Sequence, residues 1–153
     1  MTTTAPGGLI DGFAFRDDRA YDPETGMWVL ALGEGVYRVG INALSADAYG
    51  ALAQLVVDNI GTVVHRGEAF GSLEAAKFVG PLIAPISGLL RVANRVVADD
   101  PDLVLRSPYD AGWLVEITAP SPSEVEDLLT GEKARAWFAE TVAEHRRNGL
   151  VAE

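Results

Sequence analysis

Lys77 stands in "GSLEAAKFVGPLIAPISG", residues 71 to 88, where it is the sole cation; the chain's one other lysine is Lys133, and the rest of its 12 basic residues are arginines. A primary amine can be acylated, which removes its charge. The flanks say how that amine would be presented. Leu73 on one side and Phe78, Val79, Leu82 and Ile83 on the other read as two strand arms. They meet at "EAAK", a run of small, weakly β-forming residues that suits a type I turn, so Lys77 is expected to project from a hairpin tip. Taken alone, a lysine in such a place is an ordinary solvated cation.

Other side chains offer less. His65 and His145 are the only histidines and lie far apart in sequence, with no cysteine or paired histidine to complete a common zinc arrangement, so no metal site is expected. His65, after Val63 and Val64, reads as a surface residue at a strand end, and His145 as a helix-end group. No GxSxG elbow, Walker phosphate loop or GxGxxG after a strand occurs; "LGEGVYRVG" holds only a Gly-X-Gly in a turn. Glu24, Glu34, Glu68 and Glu74 are carboxylates without a spacing that pairs them, and exposure is their ordinary state. The sequence offers no convincing nucleophile, and an enzyme with its own acid and base is left open without support. With Cys 0, it has neither disulfides nor thiolates, and any sulfur chemistry has to be borrowed.

Charge and length narrow the partners. A formal net charge of −10 opposes phosphate backbones and anionic lipid surfaces, so neither nucleic acid nor membrane is expected as a partner. The start "MTTTAPGGLIDG" lacks the basic end and apolar run of a signal peptide, and no stretch approaches the ~20 apolar residues of a membrane span. The cytoplasm is the expected compartment. At 153 residues one core can form, and a second full domain would be hard to fit.

The elements that must hold Lys77 follow from pattern. Residues 1–20 show little periodicity and read as a loose leader, with Phe13 and Phe15 packing locally. "MWVLAL" and "VYRVGI", separated by Gly33-Glu34-Gly35, predict an antiparallel hairpin over residues 27–41. Ser45 offers an N-cap to a short helix, and short strands follow in "AQLVV", "TVVHRGEAFGSLEA", "LIAPISGLLRVAN" and "GWLVEIT", a spacing that argues for a sandwich or barrel. "NRVVADDPDLVLRSP" interrupts them, with Asp100 as a cap before an N1 proline. After Pro120 the chain turns helical, capped by Ser121 or Ser123 and stopped at Gly149, with Ala134, Trp137, Phe138, Thr141 and Val142 on one packing face. The expected organisation is a leader over 1–20, one domain over 21–120 and a helical extension over 121–153.

On these residues the chain resembles the H-protein of the glycine cleavage system. Glu74 stands three residues before Lys77, and Ala84-Pro85-Ile86-Ser87-Gly88 stands seven to eleven after it. "VGI" at 39–41, "GEAFG" at 67–71, "NRVVADDPDLV" at 94–104 and "SPYDAGWLVEI" at 107–117 follow the family in order, without a gap from Val39 to Gly88. The resemblance covers roughly residues 21–120. It implies a mainly β fold, a barrel-sandwich hybrid of the lipoyl-domain kind with short helices, and lipoate joined to Lys77 by an amide bond. Biotin carriers share that fold, but their attachment lysine typically lies between methionines, whereas Ala76 and Phe78 flank this one.

The resemblance also implies a role. The protein would be a non-catalytic carrier, a tethered substrate moving an aminomethyl group on lipoyl-Lys77 between glycine decarboxylase, aminomethyltransferase and dihydrolipoamide dehydrogenase, after loading by a lipoate-attaching enzyme. Glu74 would help that enzyme read the site. Two departures stand out: where the family carries His-Glu-Trp and Thr-Asp-Tyr, this chain has Gly26-Met27-Trp28 and Asn42-Ala43-Leu44, positions expected to face partners or the arm. "KFVGPL" and the longer tail with "LLTGEKARAWF" also resemble H-like lipoate-binding proteins of sulfur-oxidising systems, in which the arm would carry sulfur intermediates to a heterodisulfide-reductase-like complex. An unlipoylated interaction module is the third alternative.

Overall fold

The computed structural model describes residues 8–152. Two antiparallel sheets face each other. The larger has the order β3-β4-β5-β11-β10-β7, built from Ala20–Tyr21, Met27–Gly33, Val36–Ile41, Val115–Thr118, Gly88–Ala93 and Val63–Val64 respectively. The smaller has the order β6-β8-β9, from Leu52–Val57, Ala69–Ala75 and Phe78–Ile83. Period-two alternation decides what lies between them. In β8, Leu73 and Ala75 point inward while Ser72 and Glu74 point out, and Gly71 lets the β6 backbone approach so closely that a Cβ would sit 2.0 Å from the Val56 carbonyl oxygen. Met27, Val29, Val39, Ile41, Leu90, Val115 and Ile117 meet Leu52, Leu55, Phe70, Leu73 and Leu82 in the core.

The hairpin expected over 27–41 is present, with Gly33, Glu34 and Gly35 all at positive φ in its turn. Helix α1, Ala43–Tyr49, begins earlier than expected: its cap is Asn42, whose side chain accepts from the Ser45 amide, so Ser45 is the capped residue rather than the cap. "NRVVADDPDLVLRSP" forms two short helices, α2 at Arg95–Asp99 and α3 at Leu103–Arg106. Asp100 closes α2 and does not open a helix, because its amide bonds back to the Val96 carbonyl while its carboxylate pairs with Arg106.

The tail also departs from the sequence pattern. α4, Ser123–Glu126, is a single turn, and α5, Gly131–Arg147, starts only after Leu129 has exchanged two backbone hydrogen bonds with Tyr21. That bridge needs extended chain, which is why neither Ser121 nor Ser123 caps the long helix. Ala134, Phe138 and Val142 then bury completely and Trp137 and Thr141 partly, the face the spacing predicts.

The loose leader is corrected over its described part. β1, Gly8–Ile10, and β2, Phe13–Phe15, form a hairpin whose Phe15 stacks on Tyr21 at 4.8 Å and meets Phe138 edge-on at 5.2 Å. With Trp28, Leu44 and Tyr109 these rings make a second core between the hairpin, α1 and α5. Aromatic pairs at such distances add about 0.5–1.5 kcal/mol beyond their buried area, and with that burial they help order a segment whose sequence shows no period. Residues 1–7 of the expected leader lie outside the described residues.

Candidate functional site

Ala75 pairs with Phe78 across β8 and β9, so Ala76 and Lys77 alone form the turn, and Lys77 is exposed at its tip. Neither turn residue has a positive φ. Two-residue hairpins favour the mirror-image turns because ordinary type I geometry splays the strands. Here the turn is braced from outside: the Lys77 amide donates to the Tyr49 carbonyl at 2.8 Å and the Ala76 amide to the Ala51 carbonyl at 2.9 Å. The loop between α1 and β6 thereby fixes the backbone beneath the amine.

That loop turns on Gly50, at φ 82 and ψ −163, a conformation that side chains with a Cβ rarely adopt. A Cβ there would also lie 3.2 Å from the Ala76 Cβ and 3.7 Å from the Lys77 Cγ. The lysine stem therefore runs along a surface kept bare by glycine. Tyr49 stacks on Phe78 with ring centroids 4.4 Å apart, and burial raises its phenol pKa. Lys77 borders a groove of about 570 Å³ lined also by Gly50, Ala51, Leu105, Arg106, Val151 and Ala152. Asp102 also lines it, its carboxylate accepting the Leu52 amide at 2.9 Å.

Glu74 is where the sequence placed it, exposed on the outer face of β8 opposite Gln54 and Val79. Among the described residues neither Glu74 nor Lys77 takes part in a salt bridge. The remaining candidates do not converge on the lysine. Glu24 and Glu34 lie in separate turns, and Glu68 accepts from the His65 amide at 2.8 Å and faces its Nδ1 at 3.0 Å, which holds that exposed carboxyl below its usual range. His145 ends α5 with its Nδ1 buried and without a hydrogen-bond partner. Among the described residues there is no group of three or more metal-ligating side chains, and no described helix is long and apolar enough to cross a membrane.

The two departures noted in the sequence prove to be one joint. The Asn42 amide and its Nδ2 both donate to the Gly26 carbonyl, at 3.0 and 2.8 Å, and Met27, Trp28, Asn42 and Leu44 are buried. These residues seat α1 against β4, with Gly26 and Ala43 half-buried beside them. Tyr49, Gly50, Ala51 and Val151 were missed as site residues. Only "YG" at the end of α1, a helix-stop signal, was there to be read, since the other contacts exist only in the folded chain.

Residues 19–141 match the model of the family described as "Glycine cleavage H-protein". Among curated proteins, the glycine cleavage system H protein of Chlorobium phaeobacteroides is 34% identical over 126 residues, which is 82% of this chain and 98% of that one. That of Geobacillus kaustophilus is 36% identical over 74% of this chain and 88% of its own length. The crystal structure of a glycine cleavage system H protein from Mycobacterium marinum superposes with a TM-score of 0.72 at 32% identity, covering 84% of this chain and 99% of that chain.

Proposed function

The chain belongs to the glycine cleavage H-protein family, and from that premise we propose that Lys77 is the residue through which it acts as a lipoyl carrier. Family membership makes it a non-catalytic barrel-sandwich protein bearing lipoate in covalent linkage to a lysine. The residues fit that group. Lys77 is exposed, unpaired among the described residues and mounted on a turn braced by two backbone bonds, whereas Lys133 lies in the first turn of α5. The braced turn is the observation that carries the assignment. When attached, lipoate supplies the dithiolane chemistry that a chain without cysteine lacks.

The chain's own residues supply the rest. Tyr49, Gly50 and Ala51 hold the tip still, so that flexibility resides in the arm and a tethered group meets each enzyme at high effective concentration. Glu74, exposed on the strand that enters the turn, is proposed as a contact for the lipoate-attaching enzyme. The route proposed for the cargo is an aminomethyl group passed between glycine decarboxylase, aminomethyltransferase and dihydrolipoamide dehydrogenase, in the cytoplasm. The test is transfer from glycine to the loaded protein by a competent decarboxylase; failure of that transfer, with attachment at Lys77 verified, rejects the glycine route. The "KFVGPL" flank of Lys77 and the tail with "LLTGEKARAWF" support one other route, sulfur intermediates carried to a heterodisulfide-reductase-like complex. Selective association with such a complex would favour it.

A further inference from the structure

Residues 1–18 and 142–153 fall outside the family match, and the described parts of these two segments hold each other. Arg146 is the link. Its Nη2 donates to the Asp11 carbonyl at 2.7 Å, its guanidinium lies 5.6 Å from the centre of the Phe13 ring, and its Nε donates to the Ala152 carbonyl at 3.1 Å. Gly149, at φ 70, turns the chain back after α5, and the Leu150 amide closes on the His145 carbonyl at 2.9 Å. Val151 is driven into the second core with 6% of its surface exposed. The outcome of this folding back is that Val151 and Ala152 line the same groove as Lys77.

We propose that Leu150–Ala152, pinned by Arg146, is a specificity element of the attachment face, one that restricts which macromolecular enzyme can close on Lys77 while leaving the amine open to small molecules. The inference rests on the assignment of Lys77 as the attachment lysine. A small reagent needs only the exposed amine. An enzyme must bring its active site down over the tip, and the loop at Gly50 and Ala51 and the segment at Val151 and Ala152 are the surfaces it meets around Lys77. A bulky element at the edge of a docking face discriminates by exclusion, at no cost to the partner shaped to accept it. Arg146 is here a positioning residue, acting through the segment it holds.

The test compares the full chain, a chain ending at Asn148 and the Arg146→Ala variant as acceptors for the lipoate-attaching enzyme of Chlorobium phaeobacteroides. The H protein of that organism is matched over 98% of its length by 126 of this chain's 153 residues, so it is the shorter of the two. Removing the segment is expected to raise kcat/KM for attachment at Lys77 by about fivefold or more, with Arg146→Ala moving the same way. Acetic anhydride labelling at Lys77, measured relative to Lys133, is expected to stay equal in all three. Equal or lower kcat/KM in both variants would overturn the proposal. So would a matching rise in labelling, which would place the effect on the amine itself. If truncation unfolds the chain, Arg146→Ala decides alone. Attachment to none of the three forms would instead overturn the assignment of Lys77, and the specificity element with it.

Discussion

The Lys77 amide donates to the Tyr49 carbonyl at 2.8 Å, so the exposed β8–β9 turn of the smaller sheet is tied to the end of a helix three strands earlier in the chain. A hairpin tip is ordinarily the loosest part of a sheet. Here the amine is free, and the backbone beneath it is bonded.

Gly50 makes that tie possible. Gly50→Ala forces a Cβ into a backbone region that is nearly glycine's alone, for a cost of about 1–3 kcal/mol. The new methyl also presses on Ala76 and the Lys77 stem. Thermal unfolding is expected to move down by a few degrees, while kcat/KM for attachment at Lys77 falls by about tenfold, more than the loss of stability explains. Equal attachment rates at a temperature where both proteins are folded would show that the tie is structural only.

Glu74 separates recognition from stability. Because its side chain is exposed and unpaired among the described residues, Glu74→Gln should leave the melting temperature unchanged, within about 0.5 kcal/mol. If the attaching enzyme reads this carboxylate, kcat/KM for attachment falls by about fivefold or more, the scale of one lost charge-assisted contact. No change in either quantity would make Glu74 an ordinary strand carboxylate.

Burial raises the phenol pKa of Tyr21, Tyr49 and Tyr109 above the ordinary 10.0. A raised pKa means that the folded state keeps a proton the unfolded chain would release. The stabilisation is therefore complete below about pH 10 and is lost as pH climbs through the folded-state values. Melting temperatures followed by circular dichroism are expected to decline above about pH 10. Tyr49→Phe, which retains the stack on Phe78, should make that decline shallower; an unchanged slope would contradict the assignment for Tyr49.

Phe138 measures how firmly the tail is part of the fold. Its ring is fully buried against Phe15, so Phe138→Ala should cost about 3–5 kcal/mol in chemical denaturation. A loss below about 1 kcal/mol would mean that α5 and the N-terminal hairpin are only loosely docked.

The hairpin around Lys77 was legible because β8 and β9 are neighbours in sequence, and alternation alone says that Leu73 turns inward and Glu74 outward. In the larger sheet β4 and β5 were legible for the same reason, whereas β3 and the order of the strands were not. What could not be read was held by contacts distant in the chain. Phe15 finds Phe138 across more than a hundred residues, and nothing near Phe15 announces it. Leu129 looks like a helical residue until Tyr21 claims its backbone. At α1 the cap read from sequence was Ser45, but Asn42, whose amide and Nδ2 both bond to the Gly26 carbonyl, takes that place. Tyr49, Gly50 and Ala51 escaped notice because they act through backbone atoms, which carry no signature of residue type.

The most direct measurement is the intact mass of the full chain after incubation with lipoate, ATP and a competent lipoate-attaching enzyme, run beside Lys77→Arg and Lys133→Arg. One lipoyl-sized increase is expected for the unaltered chain and for Lys133→Arg, and none for Lys77→Arg. No increase in the unaltered chain, or an increase that survives Lys77→Arg, would contradict the assignment of Lys77 as the carrier residue.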